Sequence, residues 1–224
     1  MRVLAVETST LSGGAALLDD ERVVGEYTLD VRITHSERLM AAIDRLLSDA
    51  GWTPRDLEGL AVTVGPGSFT GLRVGLSTVK GLALALAIPV AAVPTLDAMA
   101  AMLPYAALPV CPVLDARKRE VYASLYRWED RGMRRQWDYL AIAPDDLARR
   151  LDEPVIVVGD GAAAIRSPLV RHVRPPRRGP APAVVGALGH TRLALGDTVA
   201  VADLAPIYLR PSEAELKRRG AAVS

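Results

Sequence analysis

The sequence predicts an α/β protein made of two halves of like construction. Strands come first and helices then alternate with strands, and this order occurs once before Pro104 and again after Pro109. The chain has 224 residues, of which 50% are hydrophobic and 24% charged. That is enough apolar material for one large domain or two of roughly 100 residues each. Aromatics make up 4% and Phe69 is the single phenylalanine. The core must therefore be built of Ala, Val, Leu and Ile, and a surface of stacked aromatics reading single-stranded nucleic acid is not expected.

In the first half, residues 2–8, 14–19 and 22–29 are short apolar and β-branched runs, the last two separated by Asp20-Glu21, and they read as a strand and a hairpin. Thr34-His35-Ser36-Glu37 has the spacing of a capping box. Leu39, Met40, Ile43, Leu46, Leu47 and Ala50 follow at helical period, and Gly51 and Pro54 end the helix. A buried strand is predicted at 59–64, a glycine-rich turn at 65–71, a helix over 71–87 stopped by Pro89, a strand at 90–93 and a short helix at 95–102. The second half repeats the pattern with strands at 110–114, 120–128 and 135–142, a helix at 144–151, a strand at 154–158 and a helix at 183–195. Residues 167–182, with Arg171, Arg174, Arg177, Arg178 and no acid, read as an exposed loop. The predicted domains are 1–104 and 105–224, with a last helix at 212–219 packing back on the first lobe.

Net charge is +1, with residues 1–105 slightly acidic and 106–224 slightly basic, so no whole-molecule field calls for a polyanion. Cys111 is the only cysteine and cannot form an internal disulfide, which fits a reducing compartment. Glu7 interrupts any leader-like apolar run, and the uncharged stretch 81–96 is broken by Pro89 and Pro94. A cytoplasmic protein without membrane contact is expected.

The most informative segment is the turn Gly65, Pro66, Gly67, Ser68, Phe69, Thr70, Gly71 and the helix behind it, with Arg73 and Gly75 in its first turns. A strand that feeds a helix N-terminus through glycines points several N–H groups at one place, where the helix dipole favours negative charge. It is neither a P-loop, since Leu72 and Arg73 follow Gly71, nor a dinucleotide fingerprint, since the third glycine falls one residue late. A tight structural turn and an anion or partner site both fit. The helix itself is apolar nearly all round, apart from Arg73, Ser77 and Lys80, so it must be covered on a second side, by the other half or by another protein. Gly71 and Gly75 offer a surface for close helix approach. His35 lacks a second ligand at i+4, where Leu39 stands, and no nucleophile elbow is present because Ser68 is followed by one residue too many. Asp115, Arg117 and Glu120 form a candidate ion-pair cluster at a strand end.

The run from Gly65 to Gly75, with Val6-Glu7-Thr8-Ser9, Leu114-Asp115-Ala116-Arg117-Lys118-Arg119-Glu120-Val121-Tyr122 and Pro206-Ile207-Tyr208-Leu209-Arg210, closely resembles the bacterial TsaB (YeaZ) family. The resemblance spans the whole chain. It implies an actin-like ATPase fold of the sugar kinase and Hsp70 superfamily, with two RNase H-like lobes. It also implies a non-catalytic subunit that pairs with TsaD, the subunit transferring threonylcarbamoyl to the adenosine next to the anticodon of tRNA. The metal-binding histidine pair of TsaD matches His35 and Leu39 here, and an acid of its first turn matches Leu11, so both are broken. By the same resemblance the first two long helices form the dimer face, and Leu39, Ile43, Leu46, Leu47, Leu72, Val79 and Lys80 are the expected contacts. The same resemblance implies a homodimer when the chain is alone, the TsaE ATPase as a further partner, and tRNA met indirectly or through the complex. No tightly bound cofactor or metal is expected, and nucleotide (ATP or ADP) only at the complex interface. The competing enzyme reading is a small ATP-dependent kinase or an M22-type, glycoprotease-like peptidase of the same superfamily. An RNA-binding loop at Arg171 to Arg178 is a third.

Overall fold

Strand β1 (Arg2–Glu7) is apolar at every position from Val3 to Val6, as a strand buried on both faces must be. The computed structural model describes residues 1–30, 35–130, 132–173 and 179–210, and the backbone only at 35–37. Strands β2 (Ser12–Asp19) and β3 (Arg22–Asp30) extend β1 as an antiparallel meander. On its other side β4 (Gly59–Gly65) and β5 (Val90–Pro94) pair parallel, so the sheet order is β3-β2-β1-β4-β5. Helices α1 (His35–Ala50) and α2 (Phe69–Leu86) cover one face, where Leu39, Ile43, Leu76 and Val79 meet Leu4, Val6, Leu60 and Val62. Thr34 of the expected capping box lies outside the described residues. Helix α2 is long and apolar enough to span a membrane by composition, but Leu72, Leu76, Val79 and Ala83 are buried on its inner side.

After α3 (Thr95–Ala101) the second sheet repeats the design. Its strands are β6 (Val110–Arg117), β7 (Glu120–Ala123), β8 (Tyr126–Glu129), β9 (Gly132–Arg135), β10 (Leu140–Ile142), β11 (Val155–Val158) and β12 (Val170–His172), with α4 (Pro144–Arg150) before β11. The order β10-β7-β6-β11-β12, antiparallel on one side of β6 and parallel on the other, matches the first sheet strand for strand. The fold is thus two RNase H-like lobes, the actin-like arrangement expected above. The predicted strands at 120–128 and 135–142 are each split. At the break the Ser124 hydroxyl donates to the Trp137 carbonyl (2.7 Å), taking the place of a backbone partner.

The chain then returns to the first lobe, which corrects the predicted domain boundary at its end. Helix α5 (Pro182–Ala194) covers the open face of the first sheet, with Val185 against Val3, Ala5, Ala61 and Val93. The amides of Val199 and Ile207 donate to the carbonyls of Val90 and Val64 (2.9 and 2.6 Å). The driving force is the bare apolar face that α1 and α2 leave uncovered. The expected helix at 212–219 lies outside the described residues.

Candidate functional site

The β4–α2 turn is built by its neighbours. Gly65 has φ 102° and is joined to Pro66 by a cis peptide bond. Ser68 caps α2, its side chain accepting from the Gly71 amide (3.2 Å), while its own amide donates to the Ser9 carbonyl (2.7 Å). A Cβ on Gly71 would stand 2.0 Å from the Thr8 carbonyl oxygen, and one on Gly75 2.3 Å from Thr8 Oγ1. Thr8 Oγ1 in turn donates to the Gly71 carbonyl (2.8 Å). These two glycines therefore face β1 inside the lobe, and the expectation that they receive a partner helix is corrected: the small residues are needed for α2 to seat on its own sheet. Gly75→Ala should lower stability by about 1–3 kcal/mol through overpacking. Equilibrium denaturation with urea would measure it.

Between the lobes lies a cleft of about 530 Å³ whose walls include Ser9, Thr10, Ser68, Arg117, Tyr208 and Arg210. Its far wall is the β6–β7 turn, where Arg117, Lys118 and Arg119 all have left-handed backbone (φ 62°, 51° and 63°). Asp115 pairs with Arg117 (3.3 Å) and its amide donates to Asp160 (2.8 Å), while Glu120 is taken by Arg210. The expected cluster is thus split between two arginines, and both face carboxylates rather than an open anion site. Among the described residues no three His, Cys, Asp or Glu side chains converge on a metal position.

Under the cleft, Glu7 is fully buried. Its Oε1 accepts from the Ser9 amide (2.6 Å), the Ser9 hydroxyl and Thr63 Oγ1 (3.3 Å), and its Oε2 has no protein partner. Burial pushes its carboxyl up to about 7 in spite of these donors.

The second concavity, about 520 Å³, is the groove between α1 and α2, with Leu39 in its floor and Met40, Phe69, Arg73, Val74 and Ser77 around it. Arg73 stacks over Phe69 (3.9 Å to the ring centroid) and bonds the Tyr208 hydroxyl (3.3 Å), and Phe69 stacks on Tyr208 (5.3 Å). This stack forms the wall shared by groove and cleft. Next to the groove α2 exposes Arg73, Ser77, Gly81 and Ala85 in one line, with Leu84 beside it 72% exposed and Met40 of α1 52% exposed.

Of the seven expected contact residues, Leu39, Ile43, Leu47, Leu72 and Val79 are at most 6% exposed. They hold the helices to the sheet, because the most apolar stripe of an amphipathic helix belongs to its own core; Ile43, Leu47, Leu72 and Val79 are thereby corrected as direct partner contacts, while Leu39 also forms the floor of the groove. Leu46 and Lys80 are half-buried at the edge. The apolar residues left at this face are Met40 and Leu84, both exposed, and Val74, half-buried in the wall of the groove. Val74 and Leu84 could have been found by taking the positions on α2 turned away from Leu72, Leu76, Val79 and Ala83.

Residues 30–166 match the family model described as "TsaD: tRNA N6-adenosine threonylcarbamoyltransferase". Over its whole length the chain is 32% identical to the tRNA threonylcarbamoyladenosine biosynthesis protein TsaB of Bacillus subtilis, across 97% of both chains. It belongs to the TsaB (YeaZ) family. The TsaB protein of Escherichia coli is likewise 32% identical, over 98% of this chain and 99% of that one. The solved structure of YeaZ from Pseudomonas aeruginosa superimposes with a TM-score of 0.83 at 28% identity, covering 93% of this chain and 99% of that one. The TsaB family thus shares both lobes and the returning C-terminal segment, beyond the glycine turn alone.

Proposed function

We propose that this chain is the non-catalytic scaffold subunit in synthesis of threonylcarbamoyladenosine on tRNA, pairing through α1 and α2 with a threonylcarbamoyltransferase of the TsaD type. The observation that carries the reading is the exposed face of these helices: a groove, a line of small residues at Ser77, Gly81 and Ala85, and the apolar side chains of Met40, Val74 and Leu84 around them. Small residues admit a helix backbone, and apolar side chains at the centre of an interface supply its affinity. The match of 30–166 to the TsaD family model supports a partner with a related first lobe, able to present its own pair of helices to this one. A second copy of the chain fills the face when the transferase is absent. TsaE joins as a further partner, tRNA is met through the assembly, nucleotide is held only at its interface, and the whole operates in the cytoplasm.

Reconstitution tests this. Threonylcarbamoyl transfer to tRNA is assayed with TsaD, TsaE and the enzyme that makes the adenylate, with and without this chain. Product that requires the chain, together with a heterodimer by sedimentation at micromolar concentration, supports the reading. Equal product without it overturns the scaffold role.

A further inference from the structure

Asp97, in the first turn of α3, is the point where three separate parts of the chain meet. Its Oδ1 accepts from the hydroxyl of Tyr126 (2.6 Å) in β8 and from that of Tyr139 (2.7 Å), just before β10. Both tyrosines belong to the second lobe, while α3 continues from β5 of the first. On the other side Oδ2 lies 3.9 Å from Nη2 of Arg192 in α5, and Nη1 of that arginine donates to the carbonyl of Ala92 in β5 (2.5 Å). The Arg135 guanidinium closes over the Tyr139 ring at 4.4 Å. One carboxylate thus joins two phenols of one lobe to an arginine anchored in the other.

The surroundings make this junction costly to open. Tyr126 is 1% exposed, and next to it Leu96, Met99 and Ala100 of α3 pack with Val110, Leu114 and Val158 of the second sheet, while Ala98 of the same helix packs with Val93 and Val185 of the first lobe, so α3 is wedged between the two cores. Rotating the second lobe would draw both hydroxyls away from Asp97 and take from the buried Tyr126 hydroxyl its charged acceptor, a loss that native structures avoid. Hydrogen bonds to an ionised acceptor are also stronger than neutral ones.

We infer that Asp97, Tyr126 and Tyr139 form a lock that fixes the angle between the lobes, so that the interlobe cleft keeps one width and does not close on a ligand. The chain is a rigid platform rather than a clamp. This goes beyond the pairing role proposed above and holds for the isolated chain, whatever its partner.

Spin labels on Leu195→Cys and Asp145→Cys, one exposed site in each lobe, read the angle as a distance distribution. Cys111 is fully buried and takes no label. Labelled chain is diluted into unlabelled chain so that only distances within one molecule count. The expected result is a single narrow distribution for the otherwise unchanged chain. In Asp97→Ala, and in the double variant Tyr126→Phe/Tyr139→Phe, the distribution broadens severalfold and amide exchange at 9–11 and 115–118 accelerates, with circular dichroism unchanged. The double variant removes only two hydroxyls, so it decides the matter if Asp97→Ala fails to fold. A broad distribution in the unchanged chain, or an unaltered width in a folded double variant, overturns the lock.

Discussion

Leu84→Glu abolishes association with the TsaD-type subunit and, with it, threonylcarbamoyl transfer in the reconstituted system. Leu84 is 72% exposed, so the substitution costs the isolated chain within about 0.5 kcal/mol. In the heterodimer it places a carboxylate in an apolar contact without a partner, and the loss is about 100-fold in affinity or more, equivalent to about 2.7 kcal/mol. Val74→Glu, on the groove itself, acts in the same direction. Leu195→Glu is the control: that side chain is 79% exposed, just past α5, and its substitution leaves both association and transfer unchanged. Titration calorimetry or sedimentation of each variant with the partner measures the effect. Undiminished binding by Leu84→Glu and Val74→Glu together would move the interface off α2. Ile43→Glu could not make this distinction, because Ile43 is 2% exposed and its change would unfold the lobe.

The second large effect is on stability against pH. The Glu7 carboxyl stands at about 7 in the folded chain against an ordinary value of 4.5, because burial disfavours its charged form. Between those two values the folded chain keeps a proton that the unfolded chain has lost. Unfolding then releases a proton, and stability falls as pH rises from about 4.5 to about 7, levelling off above. The fall attributable to this one group is about 3 kcal/mol. Urea denaturation at pH 5 and pH 8, for the parent and for Glu7→Gln, isolates it: the parent loses about 3 kcal/mol more than the variant over that interval. Parallel pH profiles would mean that Glu7 is already ionised in the folded state at pH 5, and would overturn the assignment.

Much of the fold was legible because it rests on local patterns. The short apolar and β-branched runs of β1 to β3, the helical period of Leu39, Ile43 and Leu47, the all-apolar run of β4 and the stop at Pro89 each report on a neighbourhood of ten residues or fewer. The repeat of the two lobes was visible only as element order, since their side chains do not match. It became definite in the strand pairing, where β6 repeats the part of β1. The glycine turn was the clearest motif and was open in meaning, because Thr8 and Ser9, which decide that Gly67, Gly71 and Gly75 must be small, are about 60 residues away in the chain. The return of α5 to the first sheet could not be read, because nothing in its own composition says which apolar face it will meet.

By itself the sequence determined the family, the α/β elements and the fact that α2 needs cover on more than one side. Those follow from residue identities and from periods that each helix or strand carries within itself. Only the tertiary structure decided which side of α2 is core and which is open, because Leu72 and Leu84 are equally apolar and differ only in what the fold places in front of them. The same holds for Asp97, whose role depends on two tyrosines 29 and 42 residues further along the chain. Burial and hydrogen-bond partnership are relations between distant segments, and a sequence read along its length contains the partners but not their meeting.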